Sequence, residues 1–291
     1  MKVSGFTFVR DAVRFSYPVV AAIRSILPLC DELVVNVGVS QDGTLDLVRS
    51  IDDPRLVIFE STWDEGLRKG GAILAQQTDL ALDRCTGDVG IYVQADEAMH
   101  EDDHPAVRAA LERLHQDPRA EGLLFDYVHF YGSFHTVGVA RRWYRREVRA
   151  VKLGVGVRSW RDAQGFRIGE GPSARKLAVL PAGARMYHYG WVRPPEAMGQ
   201  KAADFHRWYH GDEVVRRAME RQFTYDVEER VRPFTGTHPG PMRDHVAAAD
   251  WPFTPRPQRL VRRGRIRRDL LDLLERATGV RLGEYRNYRE L

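Results

Sequence analysis

The sequence predicts an α/β protein with a mostly parallel central sheet flanked by helices and a mainly helical C-terminal extension. Short apolar runs alternate with helix-length segments over residues 1–100, which is typical of βαβ crossovers. Polar residues follow directly after each of four predicted strands, and the pattern changes to helices after Tyr189. A Rossmann-like arrangement accounts for all three observations.

The first half of the chain carries the clearest element signals. Residues 3–9 form a strand pattern with Phe6 and Phe8 on one face, and a helix pattern lies between Pro18 and Pro28, since proline suits a first helical turn and ends a helix. Thr44 is predicted to be the N-cap of the next helix. Further strands are predicted at 33–37, 56–59 and 89–93, and further helices at 44–51 and 69–84.

The second half is less regular, and residues 131–175 carry no clear element pattern. The remaining predictions are a helix at 105–115, strands at 121–130, 177–180 and 185–189, and helices at 195–209, 212–223 and 269–277. We therefore predict a catalytic-type domain over 1–192, with halves at about 1–100 and 101–192, and a helical extension over 193–291 that contains a Pro-rich linker at 232–259.

Composition limits the class of protein. Of the 291 residues, 43% are hydrophobic and 29% are charged, with a net charge of +4, which is typical of a soluble globular protein. The beginning of the chain carries no apolar signal segment, and no run is long enough to span a bilayer. We expect a cytoplasmic protein, with peripheral contact at the inner face of the membrane left open. The two cysteines are interpreted as buried thiols.

Polar residues, together with a few aromatic and small neighbours, gather where the predicted strands end. They are Thr7, Phe8, Arg10 and Asp11 after the first strand, Ser40, Asp42 and Thr44 after the second, Thr62, Trp63 and Asp64 after the third, and Gln94, Ala95, Asp96 and Glu97 after the fourth. Ligands of open parallel sheets bind at the carboxyl ends of the strands. Taken singly, Asp42 also fits a plain turn and Asp96 a solvated strand end.

The order of these motifs resembles family two glycosyltransferases of the GT-A fold. The segment 40–46 is similar to that family's Asp-Asp-Gly-Ser-Thr-Asp type of second-strand end, and 94–97 is similar to its Asp-x-Asp end. Gln94 departs from the pattern, because it replaces the first aspartate and brings no charge. The likeness covers residues 3–130 well, and beyond them it depends on short motifs.

The resemblance implies a nucleotide-diphospho-sugar donor and a divalent cofactor, Mn²⁺ or Mg²⁺. Asp96 matches the aspartate that ligates the metal, and His188, in the segment 187–191, is the best candidate for a second ligand, with a structural histidine as the alternative. Such hard ions often take one or two carboxylates plus phosphate oxygens and waters. The predicted donor-binding residues are Phe8, Arg10, Ser40, Asp42, Arg68, Lys69, Gln94, Ala95 and Asp96.

An inverting transferase needs a general base for the acceptor hydroxyl. Asp162 is our choice, because it lies between aromatic residues and before a Gly-bearing turn, and Glu170, Glu101 and Asp126 compete with it. Arg193 and Lys201 are further candidates for phosphate contacts.

The basic segment 256–268 indicates either an anionic membrane surface, which would suit a glycan or lipid-linked acceptor, or a solvated helix that pairs with acidic groups or a partner subunit. A small-molecule acceptor and a homo-oligomer also stay open. Two other functions compete: a nucleotidyltransferase, for which the loop after strand one has too few glycines, and a noncatalytic sugar- or nucleic-acid-binding protein. Since the arginines cluster away from the sheet motifs, we expect no nucleic-acid partner.

Overall fold

The computed structural model describes residues 1–64, 66–67, 70–207, 222–256, 266–279 and 281–291. The strands are β1 (Val3–Val9), β2 (Glu32–Gly38), β3 (Leu56–Ser61), β4 (Val89–Tyr92), β5 (Glu97–Met99), β6 (Gly122–Tyr131), β7 (Ser133–Gly138), β8 (Arg146–Lys152), β9 (Val157–Trp160), β10 (Gly165–Ile168), β11 (Arg175–Trp191), β12 (Val231–Pro233) and β13 (Tyr288–Glu290). The α-helices are α1 (Val19–Ile26), α2 (Thr44–Arg49), α3 (Ala72–Leu82), α4 (His104–Gln116), α5 (Pro195–Arg207), α6 (Arg243–Ala247) and α7 (Ile266–Thr278).

The sheet is mixed, with a parallel half that contains the predicted strands. Its order is β3-β2-β1-β4-β8-β6-β11-β10-β9. Strands β3, β2, β1 and β4 run parallel, whereas β8 is antiparallel to both β4 and β6. The carboxyl ends of β1, β2, β3 and β4 therefore share one edge of the sheet. The α/β fold class predicted from the sequence is confirmed.

Helices cover the parallel half on both faces. Val3 and Val9 of β1 join a buried cluster with residues of α1 and α4, whereas Phe6 joins a second cluster with Ala81 and Leu82 of α3. Successive side chains of a strand point to opposite faces, so the alternation seen in the sequence of β1 separates the two cores. None of the helices in the described ranges has both the length and the apolar character needed to cross a bilayer.

Two local predictions were wrong. Thr44 is the first residue of α2 and not its N-cap, because the Oδ1 atom of Asp42 accepts the hydrogen bond of the Thr44 amide at 3.1 Å. The two short strands predicted near 177–180 and 185–189 are one strand, β11. Its register with β6 shifts between Pro181 and Arg185, where Gly183 has a left-handed φ of 68°, so a bulge interrupts the apolar pattern without ending the strand.

The chain beyond residue 192 returns to the sheet at two places. β12 pairs with β7, and β13 pairs in parallel with β11. A buried ion pair of 3.0 Å joins Arg230 to Asp272 of α7. The predicted linker at 232–259 contains part of β12 and all of α6, while the helix predicted at 212–223 lies almost wholly outside the described residues. The domain boundary at 192 stays a prediction.

Candidate active site

Asp96 follows β4 and lies at the centre of a buried polar cluster. Its Oδ2 atom accepts a hydrogen bond from Lys201 Nζ at 2.9 Å and lies 3.3 Å from the Arg193 guanidinium. Its other oxygen, Oδ1, lies 3.9 Å from His188 Nε2. Burial alone would raise the pKa of Asp96, but the charges of Lys201 and Arg193 hold it well below its usual value, so the carboxylate is ionised.

The pairing of β5 with β11 brings His188 to this aspartate. The two strands are antiparallel, with His188 opposite Glu97, and the Tyr189 amide donates to the Asp96 carbonyl at 2.7 Å. Burial lowers the pKa of His188 to about 4, which keeps its ring neutral near pH 7. The structure thus brings together the two metal-ligand candidates predicted from the sequence, although they lie 92 residues apart in the chain.

Arg193 and Lys201 come from the start of the segment after β11. Lys201 is on α5, and the Arg193 guanidinium also donates to the carbonyl of Phe15 at 2.8 Å. Both cations lie over the Tyr17 ring, at 4.5 and 5.1 Å from its centroid. Burial, followed by the charge of Arg193, lowers the pKa of Lys201 to about 8. Lys201 and Arg193 bring two positive side chains to the Asp96 carboxylate, and positive groups in a crevice attract anionic ligands.

The donor set fits a divalent ion that takes most of its ligands from a substrate. Within the described part of the chain, no three His, Cys, Asp or Glu side chains group around one point. However, Asp96 Oδ1 and His188 Nε2 are separated by less than twice a typical metal–ligand distance of about 2.1 Å. A methyl group at Gly190 would overlap His188 Nε2 and lie 3.1 Å from Asp96 Oδ2, so glycine keeps this space open. One ion could contact both side chains there.

Glu97, the second-ranked carboxylate at this strand end, is not available as a ligand. Its two carboxylate oxygens accept two hydrogen bonds of 2.9 Å from Arg149, and both side chains are completely buried. Tyr127 also donates to Glu97 at 2.7 Å. Glu97 therefore has a structural role next to Asp96. Its partner Arg149 was not among the residues predicted from the sequence.

The turn that carries Asp162 lies beside the strand end of β4. Gln94 donates through Nε2 to the carbonyl of Ala163 at 3.0 Å, and Arg149 donates to the carbonyl of Gln164 at 2.7 Å. Arg161 and Ala163 both have left-handed φ angles, 57° and 59°, which is uncommon for residues with a side chain. The turn between β9 and β10 is thus held by hydrogen bonds in an unfavourable conformation.

Ser40 and Asp42 tie the loop after β2 to the loop after β1. Ser40 accepts from the Asp11 amide at 3.0 Å, and Asp42 accepts from the Arg14 amide at 2.8 Å and from the Thr44 hydroxyl at 2.5 Å. These bonds give both side chains a structural role in shaping the crevice, and the donor contacts predicted for them stay a prediction.

Phe8 and Arg10 lie against Trp63, a residue of the loop after β3. The Phe8 and Trp63 ring centroids are 5.9 Å apart, and the Arg10 guanidinium lies 5.3 Å from the Trp63 ring. The three side chains form an aromatic and cationic wall near the ends of β1 and β2, which suits a nucleobase. Ala95 is buried between Gln94 and Asp96. Arg68 and Lys69 lie outside the described residues.

Glu147 of β8 is a buried acid next to this site. Burial raises the pKa of Glu147 to about 7. The charge of Arg149 and the hydrogen bonds that Glu147 accepts from the Val148 amide and from Gln164 oppose this rise. Because the pKa in the folded state exceeds the ordinary glutamate value of 4.5, folding favours the protonated acid. Its contribution to stability is full below pH 4.5 and is lost as the pH rises through 7.

We therefore expect Glu147→Gln to flatten the pH dependence of stability. Between pH 5 and 8 the wild type should lose about 2.5 kcal/mol more than the variant, since glutamine keeps the hydrogen-bonding shape without a charge to bury. The measurement is the free energy of unfolding in urea at several pH values for both proteins. Parallel curves for the two proteins would show that Glu147 does not titrate in this range.

Comparisons with solved structures match parts of this chain to parts of known proteins. TarS 1-349 of S. aureus in complex with UDP is 20% identical, with 45% of this chain and 37% of that chain covered and a TM-score of 0.35. TarS 1-349 without a named ligand is 14% identical, covers 75% of this chain and 69% of that chain, and has a TM-score of 0.42.

A third similar structure is glucosyl-3-phosphoglycerate synthase from Mycobacterium tuberculosis with Mn²⁺, UDP and phosphoglyceric acid. It is 19% identical, with 45% of this chain and 44% of that chain covered and a TM-score of 0.30. The chain thus spans less than half the length of two of these three structures. No family model and no curated protein matches the chain.

Proposed function

We propose that the chain is a glycosyltransferase that moves a sugar from a nucleotide-diphosphate donor to a hydroxyl group of an acceptor. The observation that carries the proposal is the cluster of Asp96, His188, Arg193 and Lys201 at the carboxyl end of β4. It combines a carboxylate and an imidazole nitrogen 3.9 Å apart with two cations, the buried Arg193 and the half-buried Lys201. This set suits a diphosphate and a divalent ion together.

The cluster has the groups that a departing nucleoside diphosphate needs. Negative charge develops on the diphosphate as the bond to the sugar breaks, and fixed positive groups stabilise it. Lys201 and Arg193 are held by Asp96 in the crevice and would contact the phosphate oxygens. Asp96 and His188 would hold a Mn²⁺ or Mg²⁺ ion, which when bound would neutralise further charge on the diphosphate. The wall of Phe8, Arg10 and Trp63 would receive the nucleoside.

Asp162 is proposed as the general base of an inverting reaction. Its turn is attached to the end of β4 through the hydrogen bond from Gln94 and to the Glu97–Arg149 pair through Gln164. These contacts hold the turn next to Gln94, and they support an acceptor role for Asp162 beside the proposed donor residues. The carboxylate would accept the proton of the acceptor hydroxyl as its oxygen attacks the anomeric carbon.

Two of the three carboxylates that compete with Asp162 form contacts elsewhere in the fold. Glu101 accepts hydrogen bonds from the Gly240 amide at 3.0 and 3.2 Å, and Glu170 pairs with Arg158 at 3.3 Å.

The proposed acceptor is a glycan, a lipid-linked glycan or a small molecule. Membrane contact would involve the segment 256–268, which lies mostly outside the described residues, so this contact and a homo-oligomer stay predictions.

The proposal is tested by a thermal-shift panel of UDP, GDP, dTDP and CDP, each with Mn²⁺ and with EDTA. A ligand that binds only the folded state raises the free energy of unfolding, by about 2.7 kcal/mol at a concentration of 100 times its Kd, and the melting temperature rises with it. We expect one diphosphate to stabilise the protein by several degrees with Mn²⁺ and clearly less with EDTA.

Two variants control the panel. Asp96→Ala is expected to lose the shift, whereas Asp126→Ala, which removes an exposed carboxylate of β6, is expected to retain it. If no diphosphate shifts the wild type at millimolar concentration, the glycosyltransferase proposal fails.

A further inference from the structure

His129 of β6 and His188 of β11 form a direct hydrogen bond between their rings. The two residues are register partners in the parallel pairing of these strands, and their Nδ1 atoms are 2.9 Å apart. One Nδ1 must carry a proton and the other must present a lone pair, because a neutral imidazole has one donor and one acceptor nitrogen. The direction of this bond decides whether Nε2 of His188, the nitrogen that faces Asp96, carries a proton.

A backbone carbonyl settles the direction. The second nitrogen of His129, Nε2, lies 2.7 Å from the carbonyl oxygen of Tyr144, and a carbonyl oxygen can only accept. His129 therefore carries its proton on Nε2. The His129 ring is buried and stacks between the rings of Trp143 and Tyr127, with centroids 5.2 Å away on each side, and such surroundings disfavour a second proton. Its Nδ1 is thus the acceptor.

The consequence is a fixed tautomer of His188. Its Nδ1 donates to His129, so its Nε2 carries a lone pair and no proton. This bare nitrogen faces Asp96 Oδ1 at 3.9 Å, in the space that Gly190 keeps open. Two electron-pair donors that face each other across such a gap repel one another unless a cation or a proton donor lies between them.

We propose that His129 is a positioning residue that fixes the tautomer of His188 so that Nε2 is available to a divalent cation. The inference rests on the proposed function, because the cation is the one that would accompany the donor diphosphate. Hydrogen-bond partners of this kind fix the tautomer and the orientation of histidine ligands, and losing them typically weakens metal binding by about 10- to 100-fold.

The first test needs neither metal nor nucleotide. Long-range ¹H–¹⁵N spectra of the metal-free protein at neutral pH report which ring nitrogen of each histidine is protonated. The ten histidines are distinguished by the signals lost in His129→Gln and His188→Gln. We expect a protonated Nδ1 and a bare Nε2 for His188, and the reverse for His129. A proton on His188 Nε2 in the wild type overturns the proposal.

The second test compares two replacements of His129. Glutamine offers a donor for the Tyr144 carbonyl and an acceptor for His188 on one amide, whereas phenylalanine keeps the ring and has neither. With manganese pyrophosphate as the probe, which needs no particular nucleobase, His129→Phe is expected to bind about 10- to 100-fold more weakly. His129→Gln is expected to retain most of the affinity. If His129 served only to pack its ring, His129→Phe would instead be the variant that retains the affinity.

The two tests separate this inference from the proposed function. If the tautomer is as expected but no nucleoside diphosphate binds the wild type, the glycosyltransferase proposal fails and the pairing of the histidines stands. If a diphosphate binds with Mn²⁺ and His129→Phe binds as tightly as the wild type, the positioning role is overturned and the glycosyltransferase proposal survives.

Discussion

Asp162→Asn is expected to abolish sugar transfer while donor binding is retained. Asparagine keeps the size and polarity of the side chain, but it cannot accept the proton of the acceptor hydroxyl. General-base catalysis contributes about 10²- to 10⁴-fold, so kcat should fall by that factor. The measurement is single-turnover transfer with the donor identified by the thermal-shift panel, together with the shift that the corresponding diphosphate produces in the variant.

The matched control for Asp162→Asn is Glu170→Gln. Glu170 is the nearby carboxylate that competed for the same role in the sequence, and its side chain is 79% exposed and pairs with Arg158. We expect its kcat to be close to that of the wild type. If Glu170→Gln loses transfer and Asp162→Asn does not, the base is Glu170 and the role proposed for Asp162 is wrong.

Arg149→Met is expected to cost about 3 to 5 kcal/mol of unfolding free energy, the typical cost of leaving a buried charge without its partner. The guanidinium holds both oxygens of Glu97, donates to the carbonyls of Val148 and Gln164, and lies 5.4 Å from the centroid of the Tyr92 ring. Methionine fills part of the volume but leaves the Glu97 carboxylate in the core. Urea unfolding at neutral pH measures the loss.

Two further variants show whether the loss comes from the stranded charge. The double variant Glu97→Gln with Arg149→Met removes that charge and should recover a large part of the loss, since replacing both partners of a buried pair is often tolerated. Arg158→Met breaks the exposed pairs with Asp83 and Glu170, where about 0 to 1 kcal/mol is expected. Equal losses in all three proteins would contradict a specific role for the buried pair.

The parallel half of the fold was predictable because its signals are local. In β1 the two-residue alternation of apolar side chains directly reflects burial on two faces, and the prolines at 18 and 28 bound α1. Residues 131–175 gave no assignment, although β8, β9 and β10 lie there. Arg149, Glu147 and Ser159 occupy buried positions in those strands, so buried polar partners replace the apolar residues on which a pattern depends.

The site was predictable only at the ends of strands. Asp96 became a candidate because it follows β4, and His188 because it lies near the end of β11, two residues before Gly190. Arg193 and Lys201 were considered for phosphate contacts. Arg149 and His129 were missed, since their importance comes from hydrogen bonds with Glu97 and His188, which lie 52 and 59 residues away in the chain. Such contacts depend on the pairing order of β8, β6 and β11, which no local pattern contains.

The long strand β11 also bears on how the protein avoids unwanted association. Its side away from β6 is covered in pieces, by β10 at Arg175 and Lys176, by β13 at Leu177–Val179 and by β5 at Met186–His188. Pro181 stands between the last two and has no amide proton to offer. A strand with open amides and carbonyls can recruit another chain. The three-residue strand β13 therefore covers backbone groups of β11 that could otherwise pair with another chain.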